Sequence, residues 1–202
     1  MRSFRLGFSL IFWGLFIALL DFEINLVSIL PGFIGFIFIL YGIQKVGKED
    51  NKIKKLVPWV YGLIPLSAME WFSSFFIRPN EKMEEAALPI NPLLLGWFSL
   101  LEIALLVVTI LFVVKLMNYY IDLLKERKQF EWHERFVSRK LFYVWTQVAL
   151  VVLLPLAAIH MVMAVLYIVV ILFVLIGVAR ILMSAYRIKQ LSEVIWENSD
   201  QN

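Results

Sequence analysis

The sequence contains no cysteine, which excludes disulfide bonds, thiol nucleophiles, iron–sulfur clusters and cysteine-ligated zinc sites. Charge is also scarce, since 17% of the 202 residues are charged, against about 25% in ordinary soluble domains. A Gly-rich phosphate loop, a His-Glu-x-x-His pair and a Gly-x-Ser-x-Gly elbow are all missing. We therefore expect no enzyme activity and no cofactor. The basic residues lack a reading motif, so we expect no nucleic-acid partner.

Apolar residues are abundant instead and make up 61% of the chain. Soluble domains contain about 45–50%, and a chain of this size has no aqueous core large enough to bury the surplus. A lipid bilayer accommodates it. The sequence predicts an all-α, polytopic integral membrane protein with a single membrane domain over 1–202. The apolar run 6–20 follows two arginines but lacks a small-x-small cleavage pattern, so we expect an uncleaved first span.

Six apolar segments approach or reach the roughly 20 residues that a helix needs to cross a bilayer. They are 4–20, 26–43, 56–77, 93–114, 141–159 and 162–182. The last two form one apolar stretch, which we divide near Pro155 because proline interrupts the hydrogen-bond ladder of a helix. The prediction is six transmembrane helices arranged as three hairpins.

The positions of the basic residues indicate the orientation of these helices, because lysine and arginine accumulate in cytoplasmic loops. Seventeen of the 19 fall on one side of the six-span arrangement, and Arg78 and Lys82 are the exceptions. We therefore predict that both termini are cytoplasmic and that the protein resides in a bacterial cell membrane.

Small residues recur at helical spacing in the first hairpin. Gly7, Gly14 and Ala18 share one face of the first predicted span, and Gly32, Gly35 and Gly42 share one face of the second. Close packing of two helices is the expected result. A glycine-lined ligand site is the alternative.

The segment Ile-Leu-Pro-Gly-Phe-Ile-Gly at 29–35 resembles a motif of small uncharacterised multispanning membrane proteins of Bacillus-type bacteria. The resemblance covers the first hairpin, about a fifth of the chain. An acidic residue often follows the proline in that pattern, whereas this chain has Gly32. The resemblance implies a bacterial membrane protein and carries no function.

Two carboxyl groups lie within predicted spans three and four. Counted from the span ends, Glu70 and Glu102 lie about 10 Å and about 14 Å below the outer surface. Ionisable residues at such depth are costly and are functional candidates. A shared proton between them indicates a proton-coupled site, and hydrogen bonding to neighbouring serines is the structural alternative.

Two further polar residues belong to the last two predicted spans. His160 combined with the two glutamates suits a divalent cation, but no ligand spacing supports this, so we expect no metal site. Gln147 lies near the inner end of span five, where it lines a polar path or bonds across helices.

The inner segment 115–140 is predicted to extend span four and then to lie along the anionic inner leaflet. Its aromatic and basic side chains are candidates for contact with the membrane surface or a partner protein. They are Trp132, Arg135, Phe136, Arg139 and Lys140. The inner tail 183–202 is predicted to contain a short interfacial helix.

Two functions are consistent with these features. The first is an accessory, regulatory or protective subunit that acts through another membrane protein or a second copy of the chain. The alternative is a small-solute or proton-coupled transporter that uses Glu70 and Glu102.

Overall fold

A computed structural model of the chain describes residues 2–19, 23–24, 27–28, 31–77, 92–157 and 161–197. These residues form α1 (Arg2–Leu19), α2 (Gly32–Val46), α3 (Val57–Ile77), α4 (Pro92–Glu126), α5 (Phe130–Ala157) and α6 (Met161–Glu197). A 3-10 helix, Asn51–Leu56, connects α2 to α3. Between α1 and α2, the two-residue strands β1 (Glu23–Ile24) and β2 (Val27–Ser28) pair antiparallel. The predicted all-α class is confirmed apart from this short ladder.

Three segments of the described chain are long and apolar enough to cross a membrane. They are Leu100–Glu126, Phe130–Leu153 and Leu166–Leu191. Phe4–Leu19 and Gly32–Val46 are shorter apolar helices. The membrane character of the helices therefore agrees with the prediction, whereas the count of six spans and the side on which the termini lie stay predictions.

Local residues explain where the helices begin and end. Helix α2 begins at Gly32, later than the predicted start at 26, because Pro31 disfavours a helical conformation at the residue before it. The turn between α4 and α5 places Lys128 in the left-handed region with φ 55°, which ends α4. Helix α5 ends at Ala157 and α6 begins at Met161, so the last apolar stretch is divided close to the predicted position.

The helices pack as a ring in chain order, in which each contacts the next and α6 returns to α1. The contact between α1 and α2 is very close. A Cβ atom added to Gly14 would lie 2.5 Å from the carbonyl oxygen of Gly35, and one added to Gly42 would lie 2.7 Å from that of Gly7. The predicted glycine packing of the first hairpin is thus confirmed except at Gly32, where an added Cβ would lie 3.0 Å from the hydroxyl oxygen of Ser67 on α3.

Among the residues whose burial the structure describes, the core lies in one half of the ring, which we call the inner half. It contains the beginning of α1, the end of α2, the 3-10 helix and the adjoining ends of α3, α4, α5 and α6. The largest fully buried side chains are Phe8, Ile11, Leu15, Ile39, Ile43, Ile53, Leu63, Phe112, Leu116, Tyr120, Phe136 and Tyr143. We call the opposite half the outer half.

Two segments predicted to lie on the membrane surface are parts of long helices instead. Residues 130–140 form the first turns of α5, and the tail continues α6 as far as Glu197. Core packing extends into these segments, because the side chains of Phe136 on α5 and Ile188 on α6 are buried. Helix α4 does extend span four, as predicted, and ends at Glu126.

Candidate functional site

Glu70 lies on α3, on the helix face that also carries Leu63 and Ser67. Those two side chains are buried in the bundle, and Glu70 is half-buried. The hydroxyl of Ser73 donates a hydrogen bond to the backbone carbonyl of Glu70 at 2.6 Å. Hydrogen bonding of the Glu70 carboxyl to a serine was the predicted structural alternative, whereas this serine contacts the backbone carbonyl of Glu70.

Glu102 lies on α4 and is exposed. Its spacing from Val113 and Tyr120, which are both buried, places Glu102 on the helix side that faces the bundle. Its side chain is exposed all the same. Glu70 and Glu102 consequently do not form a buried carboxyl pair in this structure.

Gln147 is buried on α5, and its Oε1 atom has no hydrogen-bond partner among the described residues. The neighbouring Thr146 hydroxyl donates to the carbonyl of Tyr143 at 2.8 Å. A buried amide oxygen without a partner is costly and is commonly met by an ordered water molecule. His160 lies outside the described residues. No group of three or more potential metal ligands occurs within the described part of the chain.

The aromatic and basic residues predicted to contact a surface divide into two groups. Phe136 is fully buried, 6.4 Å between ring centroids from Tyr120, so it belongs to the core and is no surface anchor. Lys140 reaches across to α4, where its Nζ donates to Oδ1 of Asn118 at 2.9 Å. Trp132, Arg135 and Arg139 contact arginines or a serine of their own hairpin, as described next.

Four arginines converge where the inner ends of α5 and α6 meet, and we call them the arginine cluster. They are Arg135, Arg139, Arg180 and Arg187. The guanidinium of Arg187 lies 4.4 Å from the Trp132 ring centroid, and that of Arg135 lies 5.0 Å from the same centroid. Trp132 therefore contacts one arginine from each helix.

Other contacts of the cluster link α5 to α6. Arg139 donates from Nη1 to the Ser184 hydroxyl at 3.0 Å, and that hydroxyl donates to the carbonyl of Arg180 at 2.9 Å. The Arg180 guanidinium lies 4.5 Å from the Phe142 ring centroid. Cation–π contacts of this kind stabilise a cation without neutralising it.

Little negative charge balances the arginine cluster. The Glu131 carboxylate accepts a hydrogen bond from Arg135 at 2.6 Å, and the partner of Arg187 Nη1 is the neutral Oε1 of Gln190 at 2.7 Å. The Nε atom of Arg187 is buried and has no partner among the described atoms. The cluster has the donors and the charge to bind an anion.

A cavity of about 340 Å³, which we call the inner pocket, lies between the 3-10 helix and the inner end of α4. Its lining carries both signs of charge in similar number. The lining residues are Asp50, Lys52, Lys55, Leu56, Lys115, Asn118, Tyr119, Asp122, Leu123 and Glu126. Such a lining suits a small polar molecule with both a positive and a negative group.

The contacts within the inner pocket join α4 to the 3-10 helix. The Tyr119 hydroxyl donates to Oδ2 of Asp50 at 2.8 Å, and the other oxygen of that carboxylate accepts the Lys52 backbone N–H at 2.9 Å. Lys52 forms an ion pair with Glu126. The hydrogen bond from Lys52 to the Glu126 carboxylate raises the pKa of the Lys52 ammonium above its ordinary value. Several polar groups that line the pocket are therefore already paired with one another.

Sequence reasoning missed both the inner pocket and the α6 half of the arginine cluster. Helical spacing was the available signal for the cluster, since Arg180, Ser184 and Arg187 follow one another at intervals of four and three. No such signal exists for the pocket, because its halves come from separate parts of the chain. No protein-family model, curated protein or solved structure matches this chain.

Proposed function

We propose that the chain is a bacterial cell-membrane protein with six spans and both termini in the cytoplasm, and that it serves as an accessory, regulatory or protective subunit of another membrane component. That component is a different membrane protein or a second copy of the chain. The broad apolar surface that the outer part of α6 exposes is the observation that carries this proposal.

The outer part of α6 exposes a broad apolar surface. Eight large apolar side chains between residues 166 and 176 are each at least a third exposed, whereas Tyr167, Val170 and Val174 share the remaining face of the helix and are half-buried. The eight are Leu166, Ile168, Val169, Ile171, Leu172, Phe173, Leu175 and Ile176. On α4, Leu100, Glu102 and Ile103 are exposed at the outer end as well.

Helix association in lipid depends on close van der Waals packing, since apolar surface is not driven together there. A helix about 10–12 Å across from another protein can lie along the exposed surface of α6 and supply that packing. The exposed Glu102 carboxyl on α4 is expensive to leave against lipid, which also favours a partner at the outer half.

Photo-crosslinking in intact membranes tests the proposed association. A photoreactive residue at Leu172, which is 56% exposed on α6, is expected to give one defined protein adduct. The same residue at Tyr41, which is 58% exposed on α2, is the matched control and is expected to give none. An adduct of twice the chain mass identifies a second copy. Equal patterns at the two positions, or no adduct at Leu172, contradict the proposal.

Cysteine labelling tests the six-span topology, and the absence of native cysteine makes the chain suitable for it. With Lys82→Cys, an impermeant maleimide is expected to label intact cells. With Lys54→Cys, labelling is expected only after the membrane is permeabilised. The reverse pattern, or labelling of both sites in intact cells, contradicts six spans with both termini inside.

Proton-coupled transport is the second candidate, and the open position of Glu102 on the bundle-facing side of α4 favours it. In vesicles that contain the purified chain and a pH-sensitive dye, Glu70→Gln or Glu102→Gln is expected to abolish proton flux. Glu134→Gln, which changes an exposed carboxyl on α5, is the control. Flux that is unchanged in both glutamate variants removes this candidate.

A further inference from the structure

The arginine cluster concentrates positive charge at the inner ends of α5 and α6. Its four guanidinium groups are met by one carboxylate among their described contacts, that of Glu131. Arg180 and Arg135 each lie close enough to Arg139 for their charges to repel its guanidinium. Keeping like charges together has a cost that a bound anion removes.

An anion also satisfies a donor that the protein leaves without a partner. The Nε atom of Arg187 is buried and makes no hydrogen bond among the described atoms, while Nη1 of the same side chain is occupied by Gln190. A buried donor in this state loses its hydration without compensation. Guanidinium groups bind phosphate oxygens through paired N–H donors, so a phosphate group suits the cluster.

The helix face that carries the cluster indicates which kind of phosphate it takes. Phe173 and Ile176 precede Arg180 by seven and four residues and therefore lie on the same face of α6, toward the outer half. Each is 47% exposed. The Phe173 ring lies 6.4 Å from that of Phe142, which is also the ring that Arg180 contacts. An exposed apolar strip thus continues from the charged site along the direction of the bilayer normal.

We propose that the α5–α6 groove binds an anionic phospholipid, with its phosphate at Arg139, Arg180 and Arg187 and an acyl chain along Phe173 and Ile176. The inference rests on the proposed membrane placement, in which the inner end of α6 lies at the level of the inner-leaflet headgroups. Basic sites between helices at that level are suited to anionic headgroups. A free phosphate ion would bind the arginines but would make no contact with the apolar strip.

Native mass spectrometry of the full-length chain, purified in an uncharged detergent, tests the proposal. The probes are phosphatidylglycerol, phosphatidylcholine and inorganic phosphate. Phosphatidylglycerol is expected to bind at one saturable site, and phosphatidylcholine roughly tenfold more weakly or not at all, because its headgroup has no net negative charge. Excess inorganic phosphate is expected to compete poorly, since it makes no contact with the apolar strip.

Single charge-neutralising variants locate the site. Arg180→Gln and Arg187→Gln are each expected to weaken phosphatidylglycerol binding by roughly tenfold. Lys125→Gln removes the same charge from an exposed position on α4 and is expected to have no effect. Phe173→Gln is expected to weaken lipid binding through the apolar strip alone. Circular dichroism of each variant verifies that the helices are retained.

Three results overturn the proposal. They are equal binding of the two lipids by the native chain, unchanged binding in both arginine variants, and full displacement by inorganic phosphate. The comparison of lipids on the native chain remains decisive even if a variant fails to fold. Because the measurement uses an isolated chain in detergent, it needs neither a protein partner nor an orientation, so failure of the Leu172 crosslink leaves a positive lipid result intact.

Discussion

The first and last helical hairpins of this protein solve the same packing problem in different ways. Helices α1 and α2 approach so closely that backbone atoms replace side chains in the contact, with glycines at 7, 14, 35 and 42. Helices α5 and α6 have large side chains between them. A Cβ atom added to Gly177 would lie 3.1 Å from a side-chain atom, Oγ1 of Thr146. The first hairpin is therefore joined by backbone contact, and the last hairpin by side chains.

The difference shows what holds helices together where water is absent. In lipid, apolar side chains gain little by leaving their surroundings, so close contact or a polar link must supply the stability. The first hairpin depends on backbone contact made by glycine. The last hairpin depends on a polar link at its inner end, where Arg139 of α5 reaches Ser184 of α6. Farther from that end, residues 166–176 of α6 carry the exposed apolar surface.

The largest predicted effect is the disruption of the first hairpin by Gly14→Ala. The added Cβ would lie 2.5 Å from the Gly35 carbonyl oxygen and 2.8 Å from the Ile39 backbone nitrogen, so the two helices must separate. We expect a loss of about 3 kcal/mol in the free energy of unfolding, at the upper end of overpacking costs. Denaturation in detergent, followed by circular dichroism, measures it.

Gly62→Ala is the matched control for that substitution. A Cβ at Gly62 on α3 meets no atom within 4 Å. Alanine favours the helix over glycine, so we expect this variant to be more stable by about 0.5–1 kcal/mol. Equal destabilisation by the two substitutions would show that close backbone contact is not what stabilises the first hairpin.

The polar link of the last hairpin is the next target. Ser184→Ala removes the hydroxyl that accepts from Arg139, and we expect a loss of about 1.5–3 kcal/mol in the free energy of unfolding, as for hydrogen bonds to charged groups. The same denaturation measurement applies. Ser138→Ala, at an exposed position on α5, is expected to change little. A loss no larger than that of the control argues against the link as the element that joins α5 to α6.

Gly177→Ala tests whether glycine matters in the last hairpin as it does in the first. The Cβ contact with Thr146 is tight, but the nearest Phe142 atoms lie at 3.7 Å, an ordinary contact distance. The helix preference of alanine offsets the tight contact, so we expect a change within about 0.5 kcal/mol. A shift in the denaturation midpoint as large as that of Gly14→Ala would remove the contrast between the hairpins.

The smallest expected effect concerns the exposed ion pair between Lys52 of the 3-10 helix and Glu126 of α4. Since Glu126 raises the pKa of Lys52, the pair stabilises the folded state at neutral pH and loses its effect as pH rises through the folded-state pKa. Between about pH 9 and about pH 11, the native chain should lose slightly more stability than Glu126→Gln. Parallel pH profiles of the two proteins would show that the pair contributes nothing to stability.

Particular residues show how far sequence reasoning reaches. The glycines of the first hairpin were interpreted correctly because their spacing and their small size act within two helices that are adjacent in the chain. Phe136 was assigned to a surface because it stands among arginines, whereas the structure buries it against Tyr120. The depths of Glu70 and Glu102 were counted from the ends of predicted spans, but such a count does not report that Glu102 is exposed in the folded chain.

The sequence by itself determined the helical class, the apolar helices and the close packing of the first hairpin, because composition, periodicity and residue size act locally. Tertiary structure decided which charged groups meet. The arginine cluster joins residues of α5 to residues of α6, and the inner pocket joins the 3-10 helix to α4 across a large separation in sequence. Contacts of this kind depend on how the helices are arranged in the ring, which no short segment of the sequence encodes.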